Sequence, residues 1–386
     1  MFEKALTGRA SYWGWILLLL IILGIGFLSY LRQWSYGLGI TGMSRDVSWG
    51  LYIGQFTFLV GVAASAVMLV LPYYLHNYKV FGKITILGEF VAVAAVVMCL
   101  TFVIADLGRP DRAMNMLLYP TPNSVLFWDA VVLSGYLGLN LLVGWTVLGA
   151  EKRNAPPPSW IKPFIYLSIP WAFSIHTVTA FLYAGLPGRG FWLTAIMAPR
   201  FLGSAFAAGP ALLIILMYIL KRVSGFDAGR EAIKTMSKIV AYAMVATLFF
   251  MVCELFTVFY SQIPEHMHHF TYLFAGLHGH SVLVPWMWVC AFLAITSTIL
   301  LVIPQTRNSE TLLPWICLMA FLSLWIEKGM SLTVGGFIPS PLEQITEYVP
   351  TLPEVAITLG IWSLGALILT VLYKVAVSVR LEQQQA

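Results

Sequence analysis

The sequence predicts an all-α integral membrane protein of about ten transmembrane helices, and three observations carry that prediction. Hydrophobic residues make up 59% of the 386 and charged residues only 10%, whereas a soluble chain needs roughly a quarter of its residues charged to solvate its surface. Apolar runs of about the twenty residues that cross a hydrocarbon core recur along the whole length. The short segments between them hold nearly all of the Lys and Arg.

Taken in order, the first run, 12–31, follows Lys4 and Arg9 as a signal peptide would. It is longer than a signal core and no small-x-small cleavage site follows it, so it reads as a retained helix. The runs 50–75, 84–106, 124–148, 163–184, 199–221, 237–260, 281–303, 312–334 and 355–379 complete the set. Breakers mark the joins at Pro72, Pro110, Pro120, Pro122, Pro156 to Pro158, Pro187-Gly188, Pro304, Pro339 to Pro341 and Pro350. No stretch outside the runs is long enough to close a soluble core, so residues 1–386 read as one membrane domain.

An even number of spans puts both termini on one side. Of the 22 Lys and Arg, 15 fall in the termini and alternate loops, 6 in the other loops, and Lys328 within a span. That asymmetry places both termini in the cytoplasm and the protein in the cytoplasmic membrane as a multi-pass chain. The outer loops are then 32–49, 107–123, 185–198, 261–280 and 335–354. Small-residue faces occur at Gly61 to Ser65 in the second span and Gly203 to Gly209 in the sixth, where helices approach closely. Each precedes an acid, Asp106 or Glu254, so spans 2–5 and 6–9 are expected to form two four-helix bundles related as parallel repeats, with spans 1 and 10 peripheral.

Composition also excludes. The net charge of +5 is explained by topology and gives no reason to expect nucleic acid. Cys99, Cys253, Cys290 and Cys317 lie inside apolar runs with no CxxC or CxxCH, which rules out covalent haem c and argues against an iron–sulfur site. Haem b needs facing histidines, and His176 alone lies deep. The chain is therefore expected to hold no haem, no iron–sulfur cluster and no metal. His266, His268, His269, His278 and His280 crowd one outer loop and read as a wet interface with another subunit.

Ionisable groups inside spans are costly and by default functional. At 1.5 Å per residue, Asp129, Glu254, Glu327 and Lys328 fall roughly 8–9 Å inside the outer boundary and His176 about 12 Å, with Asp106 and Gln55 near the rim. A ligand with a polar head entering from lipid suits such a cluster, and a quinone is the natural candidate. Its two carbonyls need hydrogen-bond donors and a titratable group in reach, as His176 with Asp129 or Asp106 would supply. The competing reading pairs these groups with each other, Glu327 with Lys328 or Asp106 with Arg109. In the inner half, Glu89 and Asn140 mark a candidate proton path from the cytoplasm, although Glu89 is close enough to the boundary for a snorkelled acid.

The segments Trp49 to Gly61, Asp106-Leu-Gly-Arg-Pro110, Ser174 to Thr179 and Phe191 to Phe201, followed by Ala207 to Pro210, together resemble the NrfD/PsrC family of respiratory membrane subunits. The ten-span layout and Gly42 to Trp49 resemble its DsrP branch in sulfur and sulfate metabolism, with the HmcC type next. The resemblance implies a cofactor-free subunit that binds menaquinone near the outer face and exchanges electrons with a periplasmic ferredoxin-like iron–sulfur subunit. It further implies a multihaem cytochrome c, a haem b membrane subunit and a cytoplasmic iron–sulfur subunit as partners. Asp106, Arg109, His176 and Arg200 fall on the family-like segments; Asp129 and Glu254 come from depth alone. Shorter family members carry a His in the second span, where this chain has Tyr52 and Gln55. Two other classes compete: an ion or solute transporter, against which the absence of a Gly-Pro helix break at mid-membrane counts, and a structural anchor without quinone chemistry.

Overall fold

The computed structural model describes residues 2–385. Among them, ten helices are long and apolar enough to cross a membrane: α1 (Ala10–Tyr36), α2 (Leu51–Leu75), α3 (Thr85–Asp106), α4 (Val125–Lys152), α5 (Ser159–Ala184), α6 (Met197–Ser224), α7 (Arg230–Ser261), α8 (Val284–Val302), α9 (Leu313–Phe337) and α10 (Leu352–Glu382). The largest departure from expectation is the start of α7, which begins at Arg230 because the charged turn Arg230 to Lys238 continues the helix out of the apolar zone. The outer segment after α7 is not extended loop but carries its own helix, Pro264–Phe274, with proline at its first position.

Helices α2 to α5 pack as one four-helix bundle and α6 to α9 as a second, while α1 pairs with α10 and this pair rests on α3 and α2. Between the bundles, α2 lies on α6, α2 also packs on α9, and α5 packs on α6. That pattern is what a two-fold relation between the bundles produces, with α2 and α6 at its centre. The two small-residue stretches meet there. A Cβ on Gly209 would stand 2.7 Å from the Ser65 backbone nitrogen, and one on Gly61 would lie 3.6 Å from Ala205. The α1–α10 pair uses the same device, since a Cβ on Gly26 would lie 2.7 Å from the Gly360 Cα. In lipid, where apolar association alone gives little, such backbone approach is what holds helices together.

One expectation is corrected. The helix α2 is interrupted at Ala64 to Ala66, midway along its length, and α9 turns to π geometry over Glu327–Val334. Proline does not mark the α2 break, so a search for Gly-Pro pairs misses it. The Ala63 carbonyl freed there is met by a neighbour, as membrane burial demands: the Tyr136 hydroxyl donates to it at 3.4 Å, and the Ser65 side chain ties the break to α3 by donating to the Gly88 carbonyl at 3.2 Å. π segments inside helices concentrate at functional sites, and all eight residues of this one are buried.

Candidate functional site

Four buried charges, Arg200, Glu254, Glu327 and Lys328, gather where the second bundle meets the first, toward the face opposite the termini, while Glu89, Asp129, Glu354 and Arg380 are buried elsewhere. Arg200, on the first turn of α6, donates to Glu327 of α9 at 2.8 Å and stands 4.0 Å from Glu254 of α7. Lys328 lies 3.6 Å from Glu327 and places its ammonium 4.0 Å from the centre of the Phe201 ring. Thr194 donates at 3.0 Å to the same Glu254 oxygen that faces Arg200. Consecutive residues of the π segment thus meet consecutive residues of α6. On α5, His176 is fully buried with both ring nitrogens lacking a hydrogen-bond partner, and Lys328 is the charged group whose field reaches it. One turn along, Thr179 donates to Asp129 of α4 at 2.6 Å.

Above this cluster runs a hydroxyl chain, Thr57 to Tyr183 to Thr333, the last link 3.0 Å long. Aromatic rings cap it. Trp49 stacks on Trp192 at 5.8 Å, both pack against Tyr183, and Phe337 meets the Trp192 edge at 5.0 Å. The Trp192 indole is pinned by donation to the Leu332 carbonyl at 2.8 Å. Beneath the cap the space is small: a cavity of about 10 Å³ lined by Thr57, Phe58, Gly61, Phe201, Ser204 and Lys328 among others, which is room for about one water.

On the far side of the cap a crevice of about 540 Å³ opens to the surface, within the roughly 300–1,000 Å³ range of ligand pockets. Its walls come from the α5–α6 and α9–α10 connections and the Pro264–Phe274 helix, and include Arg189, His266, His269 and Glu343. The Arg189 guanidinium lies 4.4 Å over the Phe337 ring, joining crevice to cap.

The residues singled out from sequence therefore divide. Arg200 and Glu254 meet at the bundle junction, His176 is buried on α5, which packs on α6, and Asp129 is held by Thr179 inside the first bundle. Tyr52 and Asp106 are drawn instead toward α1: the Tyr52 hydroxyl donates to Gln33 at 2.6 Å, and Asp106 is half-buried with one carboxylate oxygen enclosed and unpartnered. Gln55 accepts from two indoles, Trp325 at 2.8 Å and Trp362 at 2.9 Å, which leaves its amide nitrogen unpartnered. Arg109 does not join Asp106; it is exposed and forks onto Asp111. Glu89 is not snorkelled but buried against Gly144, with one oxygen unpartnered, while Asn140 donates to the Tyr136 carbonyl. Sequence reading placed Glu327 and Lys328 in the polar cluster without naming either as a ligand to the quinone, and gave no role to Thr57 or Tyr183. The in-span charges of the first two were the available signal.

Three loop histidines clasp the Pro264–Phe274 helix and its flank to the α9–α10 segment. His268 meets Glu343 at 2.7 Å and His280 meets Glu347 at 3.1 Å. His269 is buried, and its Nδ1 donates to the Ile338 carbonyl at 2.8 Å and the Gly335 carbonyl at 3.2 Å. Burial holds the His269 imidazole below the ordinary histidine range, more than its carbonyl partners and Glu343 raise it. Protons then bind the opened form first, so this contribution to the clasp is complete above about pH 6.5 and is lost as the pH falls below it. Hydrogen exchange of 264–274 is expected to accelerate at lower pH beyond its intrinsic rate, and His269→Gln to flatten that dependence. Equal protection of the unaltered chain on both sides of the window would remove His269 from the clasp.

Among the described residues, no group of three or more His, Cys, Asp and Glu stands close enough to share a metal ion. The family model for polysulphide reductase, NrfD, matches residues 39–331. The chain is similar to a putative dimethyl sulfoxide reductase membrane subunit of Halobacterium salinarum, 25% identical with 92% of this chain and 89% of the relative covered. It is similar also to the menaquinone reductase integral membrane subunit of Nitratidesulfovibrio vulgaris, 19% identical over 93% of this chain and 90% of that one. An Hdr-like menaquinol oxidoreductase integral membrane subunit of Archaeoglobus fulgidus is 23% identical, with 66% and 62% covered.

Proposed function

This chain belongs to the polysulphide reductase NrfD family, and on that premise we propose that it is the integral membrane subunit of an oxidoreductase complex that takes menaquinone or menaquinol as substrate. The names of two relatives, a menaquinone reductase and a menaquinol oxidoreductase subunit, support the substrate. The observation that carries the reading is the buried Arg200–Glu327–Lys328 cluster where the bundles meet, with His176 buried and unpartnered on α5, which packs on α6.

In this reading the junction lies near the periplasmic face of the cytoplasmic membrane. The quinone ring enters between the bundles, with Phe201 and Leu324 moving aside, since the resting cavity is far smaller than a ring. His176 and Lys328 face its carbonyls, and Asp129, joined to Thr179 one helical turn from His176, is the acid that exchanges the proton. A quinone carries two electrons and two protons between its reduced and oxidised forms. The electrons pass to or from a periplasmic iron–sulfur subunit docked over the outer crevice. The parent complex is of the DsrP type in sulfur metabolism, which adds a multihaem cytochrome c, a haem b membrane subunit and a cytoplasmic iron–sulfur subunit. The Gly42 to Trp49 segment supports that finer assignment.

The test is His176→Ala alongside Asp106→Asn in the assembled complex. His176→Ala is expected to weaken binding of a menaquinol analogue about tenfold, the loss of one hydrogen bond near 1.4 kcal/mol, while Asp106→Asn, outside the junction, changes it less. Unchanged binding in His176→Ala, or a larger loss in Asp106→Asn, would end the assignment. The mid-membrane break in α2, with buried Glu89 beside it in the inner half, favours a second reading in which proton movement accompanies the redox step.

A further inference from the structure

A second charged pocket lies on the face that carries the termini. It is formed by the last turns of α6, the first turns of α7 and the α8–α9 connection, and has a volume of about 90 Å³, several times the ~10–15 Å³ that admits one water. Four cations line it, Lys221, Arg230, Lys234 and Arg307, against two carboxylates, Asp227 and Glu310. The carboxylates are already engaged on one side. Lys221 is 3.0 Å from Asp227 and 3.9 Å from Glu310, and Arg230 is 3.9 Å from Glu310. Among the described residues, Lys234 and Arg307 have no carboxylate within 4.0 Å, so the uncompensated charge sits at their end.

Arg307 is also held for binding. Its Nη1 donates to the Leu301 carbonyl at 2.9 Å, which fixes the guanidinium plane, and its Nε is enclosed without a partner. A fixed guanidinium beside a mobile ammonium is the donor pair that phosphate oxygens select. Apolar side chains within two residues of the lining in sequence are uncovered, with Val223 81%, Trp315 66% and Leu312 48% exposed. An indole at this level is a membrane-interface anchor, and the exposed side chains offer a wall for acyl chains. Basic pockets between spans at the inner surface are where anionic headgroups dock.

We propose that this pocket binds the phosphate of an anionic lipid from the adjacent leaflet through Lys234 and Arg307. The site is independent of the quinone reading. The test is native mass spectrometry of the delipidated full-length chain after adding phosphatidylglycerol or phosphatidylcholine. Phosphatidylglycerol is expected to be retained about tenfold better, with millimolar inorganic phosphate competing for it. Lys234→Gln and Arg307→Gln, made singly so that one misfolded variant does not decide the matter, are each expected to reduce retention about tenfold, near 1.4 kcal/mol. Lys152→Gln, on the same face outside the pocket, should leave it unchanged. Equal retention of the two lipids, an equal loss in Lys152→Gln, or binding of inorganic phosphate without preference for phosphatidylglycerol would each overturn the proposal.

Discussion

Arg200→Ala is expected to destabilise the chain by about 3–5 kcal/mol, because it strips a buried carboxylate of its strongest partner. Glu327 would retain Lys328 at 3.6 Å, but Glu254 would keep only the Thr194 hydroxyl. Since Arg200 ties α6 to both α7 and α9, the loss falls on the second bundle and on its seam with α2. The thermal midpoint in detergent and the monodisperse fraction of the purified complex report it. A double variant, Arg200→Met with Glu327→Leu, separates architecture from chemistry. Replacing a buried ion pair by packed apolar side chains is often neutral or stabilising by about 1–4 kcal/mol, but Lys328 and Glu254 then lose their nearest opposite charges, so the double variant should recover only part of the midpoint. It should not recover menaquinol oxidation if the junction is the reaction site. A midpoint for Arg200→Ala equal to that of the unaltered chain would show that the pair does not hold the bundles. Recovery of turnover in the double variant would mean that the charges serve packing alone.

The difference between what was legible in the sequence and what was not follows from helix geometry. Ten spans could be read because hydropathy acts along the chain. The depth of Glu254, Glu327 and Lys328 could be read from the 1.5 Å rise, and all three do lie at one level of the second bundle, around Arg200. Rotation about each helix axis could not be read, because it is set by packing. Hence Asp106 and Arg109, three positions apart, part company at the end of α3: one stays half-enclosed and the other enters the exposed connection. The same limit hid the partners of Tyr52 and Gln55, whose hydrogen bonds reach across to α1, α9 and α10. The break in α2 was hidden for another reason. Ala64, Ser65 and Ala66 are ordinary helix residues, and what permits their departure is a hydroxyl on α4 and a glycine on α6.

Lys328→Met should cost the fold little and the reaction much. Methionine fills the volume of the lysine stem, and Glu327 retains Arg200 at 2.8 Å, so a stability change within about 1.5 kcal/mol is expected. The ammonium, however, is the one charged group on the wall of the junction cavity. A positioned proton donor or acceptor contributes about 10²–10⁴-fold to a proton-transfer step, so kcat for a menaquinol analogue should fall by about that factor with KM nearly unchanged, the pattern of an interaction made chiefly in the transition state. Its neighbours make the point sharper. Phe201 holds the ammonium by its ring face, and Thr57, Ser204 and the Tyr183 hydroxyl chain lead from it toward the aromatic cap. If kcat stays within about threefold of the unaltered complex, below what acid–base catalysis contributes, the ring does not react beside Lys328. The next place to look is then the 540 Å³ crevice beyond the cap, where Arg189, His266 and His269 stand, and Arg189→Gln would show the loss that Lys328→Met did not.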